Sequence, residues 1–359
     1  VKTLAATCRL GSHRVLEPAG VLPQAAWKLD ATPVVRDNEM LCDVEALNID
    51  SASFRQIVEA SDGDERLVAA HVMALVAERG KHHNPVTGSG GMFVGRVRAI
   101  GPDFAPTVEL QAGDRIASLV SLTLTPLSIE AIDRIDMTTG RIWIRGTAIL
   151  FASGIFARLP ADIPDDVALA VLDVAGAPAQ VRRLVRPGHT VAVIGADGKS
   201  GVLACAQARE CGGPAGRVVG IVPDRTTAGA RMLLENAYVD ALVEADARDT
   251  IAILAALPET LPELADVTIN CVNVCGTELS SILLTKDDGI VYFFSMSTSF
   301  TAAALGAEGV GKDVTMIVGN GYARGHAETA LQTLRDRPPL MRYFLERYAP
   351  TPPSATGGR

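Results

Sequence analysis

No apolar run in the chain is long enough to span a bilayer, although 48% of its 359 residues are apolar and its mean hydropathy is +0.23. A spanning helix needs about 20 consecutive apolar residues. The opening VKTLAATCRLGSHRV lacks the charged-then-apolar pattern of an export signal. Six cysteines (Cys8, Cys42, Cys205, Cys211, Cys271 and Cys275) show no paired spacing, which argues against a disulfide framework and suits free thiols in a reducing compartment. Long blocks of one charge are missing too. A formal net charge of −8 argues against nucleic acid as a partner and suits a cationic small molecule. Together these absences predict a cytoplasmic protein with no membrane and no nucleic-acid partner, long enough for two domains.

What the chain does have is centred on TVAVIGADGKSG, residues 190–201. A short β-branched run stops at Gly195, and Gly198 and Gly201 follow in a G-x-x-G-x-x-G arrangement that leads into an apolar helical stretch at 202–209. Strand, glycine turn, helix is the order that lets a phosphate approach main-chain N–H groups at a helix N-terminus. Gly195, Ala196, Gly198, Lys199, Ser200 and Gly201 are therefore expected to cradle a dinucleotide pyrophosphate. Asp224 follows the next strand and is placed to hold the adenosine ribose hydroxyls, which favours NAD. Arg225 beside it is able to pair with a 2′-phosphate, so NADP is not excluded. Cys271, Ser295 and Ser297 end two later strands on the ligand side, with packed thiol the simpler reading of the cysteine.

Residues up to about 155 read as mostly β. Positions 1–30 are expected to be irregular with short strands, 39–47 a half-buried strand, and 48–54 a polar break at that strand's end. A single helix is inserted at 65–79 and stopped by Gly80. Glycines at 88, 90, 91, 95 and 101 suit the bulges and corners of a small β-barrel, with strands at 94–100, 113–120, 141–145 and 147–151. From Pro164 onwards strands (190–194, 217–222, 241–243, 266–272, 289–294, 313–318) alternate with helices (165–175, 179–185, 202–209, 228–236, 249–257). That alternation predicts an α/β unit with a doubly wound parallel sheet, its ligand lying beyond the strands' C-terminal ends. A helix over 325–348 and a disordered Pro/Gly-rich end complete the chain. The expected domains are 1–155, 156–324 and 325–359.

The passages PVTG (85–88), GRVRAIG (95–101), GDRI (113–116), RPGHTVAVIG (186–195) and GADGKSG (195–201) occur in an order that resembles the medium-chain dehydrogenase/reductase superfamily. The resemblance implies a GroES-like β-barrel catalytic domain, a Rossmann domain with a nicotinamide cofactor, a C-terminal helix returning towards the catalytic domain, and a homodimer. The passages GSHRVLEPAGVLPQAAWKLD, LNIDSASF, GADGKSG and NGYARGHAE are similar to a zinc-free branch acting on a small diamino acid. The superfamily's zinc ligands would fall near Asp50 and at 88–90, where this chain has neither thiol nor imidazole, and its four-cysteine lobe is missing. No metal is therefore expected.

Without zinc, an amine is the more suitable hydride donor, because its neutral form already carries the lone pair that expels hydride. Such a site needs a base rather than a Lewis acid. The resemblance puts Asp50 in a catalytic ligand's place, as ammonium partner or proton acceptor; a turn-capping aspartate is the alternative. Ser51 is able to relay a proton or simply bond the backbone. His82, His83 and Asn84 precede the second ligand position, and His83 is the candidate for proton transfer near neutral pH. His71 reads as a core or interface histidine. Arg96, Arg98 and Lys81 are alternatives for the substrate carboxylate. Competing readings are a zinc-free quinone or enoyl reductase using NADPH, a methyltransferase, and a silent nucleotide-binding protein.

Overall fold

The computed structural model describes residues 7–86, 88, 90–105, 109–294, 297–319 and 321–349, without the side chains of Ser51, Ala52 and Pro258. The chain divides into two compact units, Val1–Leu159 and Pro160–Arg359. The division falls a few residues past the expected 155, because the strand Phe156–Arg158 is paired into the first unit's sheet.

In the first unit a short 3-10 turn, Ser12–Arg14, leads into β1 (Val15–Glu17) and β2 (Lys28–Leu29), an antiparallel pair. Then come β3 (Glu39–Asn48), α1 (Ser51–Ala60), α2 (Glu65–Arg79), β4 (Met92–Ile100), β5 (Arg115–Ser118), β6 (Leu127–Asp136), β7 (Arg141–Phe151) and β8 (Phe156–Arg158). The sheet runs β6-β7-β3-β4-β5-β8, all antiparallel, with register shifts where β3 meets β4 and β7. Its core gathers Met40, Leu47, Phe93, Ile116 and Ile142 with Val68 and Val72 of α2. The α2 ends follow from the sequence. Asp64 accepts from the Arg66 and Leu67 N–H groups at 2.7 and 3.2 Å, and Gly80 stops the helix at φ 63°.

Two expectations need correction here. Of the polar break expected at 48–54, Asn48 ends β3 and Ile49 and Asp50 form the break, but 51–54 are the first turn of α1, so two helices follow β3 rather than one. Short-range polarity misled the reading, since Phe54 and Ile57 are buried one turn apart and give α1 its apolar face. Strand β6 was passed over as well, because its half-exposed face blurs the alternation.

The irregular arm before β3 is held by a buried ionic knot. Arg14 is fully enclosed, and its guanidinium meets both Glu39 oxygens at 2.7 Å while donating to the main-chain carbonyl of Thr32 at 3.0 Å. Burial pushes the Glu39 carboxyl up, but hydrogen bonds from Arg14 and His13 outweigh it and hold its pKa below the ordinary value.

The second unit opens with α3 (Asp165–Leu172) and α4 (Gly176–Leu184), followed by β9 (Thr190–Ile194), α5 (Lys199–Gly212), β10 (Arg217–Val222), α6 (Ala228–Glu235), β11 (Ala241–Glu244) and α7 (Thr250–Thr260). Its remainder is β12 (Ala265–Asn270), α8 (Glu278–Leu283), β13 (Thr285–Phe293), α9 (Phe300–Val310), β14 (Thr315–Val318), α10 (His326–Arg335) and α11 (Pro338–Tyr348). The strands lie in the order β11-β10-β9-β12-β13-β14, all parallel. This is the doubly wound sheet expected, and every side chain from Val191 to Ile194 is buried. The expected C-terminal helix over 325–348 is two helices, because Pro338 and Pro339 cannot continue α10 but suit the first turn of α11. Both pack within the second unit, on α3, α4 and α6 among others. The expected disordered end from 350 onwards lies outside the described residues.

Candidate active site

In the second unit the chain leaves β9 through Gly195, which adopts φ 74°, and the Gly195 and Ala196 N–H groups donate to Ile221 of β10 at 2.9 and 3.2 Å. The loop closes tightly on α5. A Cβ built on Gly201 would stand 2.1 Å from the Gly195 carbonyl oxygen, so only glycine fits there. The first bond inside α5 runs from the Val202 N–H to the Gly198 carbonyl at 2.9 Å. The N–H groups of Lys199, Ser200 and Gly201 thus precede it and have no partner within the helix. An anion at that end is favoured by about 0.3–1 kcal/mol per charge. These features fit a pyrophosphate cradle.

Around the cradle, the Lys199 ammonium pairs with Asp173, just after α3. The Asp197 carboxylate accepts from the Thr227 hydroxyl at 2.9 Å, and the Tyr343 hydroxyl lies 3.5 Å from the Asp197 carbonyl. Beyond β10, the exposed Asp224 accepts from the Thr226 hydroxyl and N–H at 2.7 and 2.6 Å, which holds its pKa below the usual value. Arg225 turns its guanidinium onto the Leu242 carbonyl of β11, and its N–H donates to Glu244 at 3.1 Å. After β12, burial pushes the Cys271 thiol up to about 12 against the opposing effect of Ser200, so it stays protonated as a packed thiol. The Ser297 hydroxyl bonds Asn273 at 2.7 Å, joining the loops after β12 and β13. Ser295 lies outside the described residues.

In the first unit Asp50 ends the run out of β3 and precedes α1. Its carboxylate does not cap that helix but accepts from the Gly90 N–H at 3.0 Å, 40 positions away. Gly90 is crowded: a Cβ there would stand 2.8 Å from both the His82 carbonyl and the Thr123 nitrogen. Asp50, His82 and Thr123 therefore converge on one glycine. The His82 ring is fully enclosed beside the Gly90 backbone, neither ring nitrogen finds a partner in hydrogen-bond geometry among the described residues, and burial pushes its pKa down to about 4. His83 is half-buried, its Nδ1 has no partner among the described residues, and burial followed by the charges of Lys81 and Arg79 lowers its pKa. The Ser51 side chain lies outside the described atoms.

The cations expected near a substrate carboxylate are engaged elsewhere. Lys81 is enclosed and donates to the Pro23 and Ala26 carbonyls at 3.1 and 2.5 Å, burial bringing its pKa to about 8. Arg96 pairs with Glu45 at 2.8 Å and Arg98 with Asp43, acid and base facing each other across β3 and β4. Asn84 is buried and donates to Gln56 at 2.8 Å, and His71 sits half-exposed on α2. Among the described residues no three His, Cys, Asp or Glu side chains gather as a metal-binding set. A cavity of about 260 Å³, lined by Leu22, Val120, Leu124 and Phe151 among others, has no charged lining residue and so offers no counter-charge to a zwitterion.

Comparison with known proteins bears on what this arrangement serves. Residues 13–160 match the family model described as the L-erythro-3,5-diaminohexanoate dehydrogenase N-terminal domain. The chain is 51% identical over 342 residues to the L-erythro-3,5-diaminohexanoate dehydrogenase of Acetoanaerobium sticklandii, covering 95% of this chain and 99% of that one. The protein of the same description from Fusobacterium nucleatum is 52% identical over 342 residues, with the same coverage.

The chain belongs to the L-erythro-3,5-diaminohexanoate dehydrogenase family.

Among solved structures it is similar to a quinone oxidoreductase of Pseudomonas syringae pv. tomato (TM-score 0.52, 16% identity, 87% of this chain and 82% of that one). It is also similar to a mycobacterial protein complexed with NADPH (TM-score 0.51, 16% identity, 88% and 82%). At such identity these neighbours show the fold alone, and that fold is the one the superfamily resemblance implied. For a diaminohexanoate dehydrogenase family member, the glycine loop is the part of the site most legible in sequence. His82 carried less signal. Its enclosure goes with the close approach of Gly90 to the His82 carbonyl and the Thr123 backbone, which no local pattern announces.

Proposed function

We propose that this chain oxidatively deaminates L-erythro-3,5-diaminohexanoate to 5-amino-3-oxohexanoate with a nicotinamide dinucleotide, a step of lysine fermentation. The carrying observation is 51% identity to a dehydrogenase of that description along 95% of the chain, both units included. In the balanced reaction the C3 ammonium compound, the oxidised dinucleotide and water give the ketone, the reduced dinucleotide, an ammonium ion and a proton. The dinucleotide, when bound, accepts the hydride from C3.

The chain's own residues supply binding and proton handling. Gly195, Ala196, Gly198, Lys199, Ser200 and Gly201 hold the pyrophosphate at the α5 terminus. Asp224 faces the adenosine ribose and disfavours a 2′-phosphate, so NAD is the proposed cofactor rather than NADP; Arg225, drawn onto β11, leaves that preference in place. Cys271 and Ser297 shape the neighbouring strand ends, and Ser295 is the third candidate there. Asp50 pairs with the C3 ammonium and takes its proton, leaving the lone pair that drives hydride loss. His83, whose lowered pKa keeps it neutral near pH 7, accepts the proton onward, with Ser51 as relay. The reading routes no step through a metal.

The reading extends to assembly and place. The edge strand β14 and the adjoining α9 leave Val318, Phe300 and Leu305 exposed at 62, 77 and 62%, which supports a homodimer formed through that edge. Free cysteines support a cytoplasmic enzyme, and no described helix is long and apolar enough to cross a membrane.

The test is absorbance at 340 nm with L-erythro-3,5-diaminohexanoate or lysine and each oxidised dinucleotide, and with a quinone and each reduced one. Turnover of the diamino acid, faster with NAD, is expected. Turnover of the quinone alone would replace the reading by a reductase, and dinucleotide binding without any turnover by a silent protein. The Asp50→Asn variant should lose turnover by about 10²–10⁴-fold, the range of general acid–base catalysis, while binding NADH as before.

A further inference from the structure

We propose that Asn270 is a positioning residue for the dinucleotide, setting the wall that stands over Gly195 without touching the ligand; this rests on the dinucleotide reading above. Strands β9 and β12 are neighbours, yet the chain leaves β9 towards β10 on one side and β12 towards β13 on the other. A crevice opens beyond their C-terminal ends at such a reversal, and that is where dinucleotides cross a doubly wound sheet. The wall on the β12 side is Cys271 and Val272. The Cys271 N–H donates to the Ile194 carbonyl at 2.9 Å, and Val272 Cγ2 stands 2.7 Å from where a Gly195 Cβ would be.

What holds that wall is one amide. Asn270 is the last residue of β12 and fully enclosed. Its Oδ1 accepts the Val272 N–H at 3.0 Å, and its Nδ2 donates to Thr277 Oγ1 at 2.8 Å and to Ser281 Oγ at 2.9 Å. Ser281 in turn donates to the Thr277 carbonyl at 2.9 Å, tying the amide to the first turn of α8. Residues 273–276, between these anchors, are exposed. An apolar side chain supplies neither half of this pattern, and a carboxylate supplies only the acceptor half. The local strand sequence DVTIN does not require a buried amide at its end; the turn that follows does.

The experiment uses the full chain and measures NADH and NADPH binding by fluorescence, with amide exchange by mass spectrometry. Asn270→Asp keeps the acceptor and loses both donors, and Thr277→Val removes one anchor while leaving Asn270 in place. Thr268→Val is the control. Thr268 lies two residues earlier on β12, and the change removes only a buried hydroxyl pair with Thr285 at 2.8 Å. Asn270→Asp is expected to raise the dissociation constant at least tenfold and Thr277→Val at least threefold, both with faster exchange over 271–276. Thr268→Val should lower the melting temperature and leave the dissociation constant within twofold. Equal effects of Thr277→Val and Thr268→Val on binding, or none from either Asn270→Asp or Thr277→Val, would overturn the assignment. A wild-type chain that bound neither nucleotide would overturn the dinucleotide reading itself, a result recognisable before any variant is made.

Discussion

The three glycines of G-x-x-G-x-x-G look alike in sequence, and replacing each by alanine should have three different outcomes. At Gly201 a new methyl would lie 2.1 Å from the Gly195 oxygen and 2.7 Å from the Ala196 backbone, both main-chain atoms that cannot swing aside. The loop must back away by about 1 Å, and a misplacement of that size costs on the order of 10²-fold at a precise site. That corresponds to roughly 2.7 kcal/mol of dinucleotide binding. At Gly195 the obstacle is different. Its φ of 74° costs an alanine about 1–2 kcal/mol, while the 2.7 Å contact is with the end of the Val272 side chain, which is able to rotate. A loss of about 5–30-fold follows from the backbone contribution alone. At Gly198 the φ is −76° and the nearest atom would be 3.4 Å away. Only a weaker N-cap remains, at most about 1 kcal/mol, and binding should fall by less than about fivefold. Titration of NADH by fluorescence, with urea denaturation to record folding, measures all three. Gly198→Ala as damaging as Gly201→Ala, or Gly201→Ala with undiminished affinity, would refute the geometry on which the cradle rests.

Three further outcomes follow from the same coordinates. Glu39→Gln leaves enclosed Arg14 with the partly exposed Asp30, at 3.1 Å, as its remaining counter-charge and should cost up to about 3–5 kcal/mol in urea denaturation. Because the folded pKa of Glu39 lies below its unfolded value, that stability is present above the unfolded pKa and disappears as pH falls through the folded one, so the variant should show a shallower acid limb. His82 has its folded pKa near 4 against 6.5 unfolded, so stability should fall as pH drops from 6.5 towards 4. The loss reaches on the order of 3 kcal/mol, and is read as melting temperature against pH in wild type and His82→Gln; an NMR titration of His82 near 6.5 would contradict its enclosure. Val318→Lys places a charge on the exposed edge of β14 and should turn a dimer into a monomer by sedimentation, with the melting temperature little changed.

Local pattern determined much of this molecule. The switch from mainly β to alternating βα, the glycine loop between β9 and α5, and the stop of α2 at Gly80 all depend on neighbours in the chain, where side-chain period and backbone freedom are enough to decide. That neither thiol nor imidazole stands where the superfamily resemblance puts its metal ligands, near Asp50 and at 88–90, is also read from the chain alone. Tertiary structure decided what depends on distant partners. It made 51–54 the start of a helix, whose buried Phe54 and Ile57 have their packing partners elsewhere in the unit. It turned Lys81, Arg96 and Arg98 towards carbonyls and carboxylates up to 58 residues away. It also joined Asp50 to Gly90, because a polar group takes whichever partner the folded chain brings within about 3 Å, and it enclosed His82 among residues distant in sequence; sequence spacing carries no record of either.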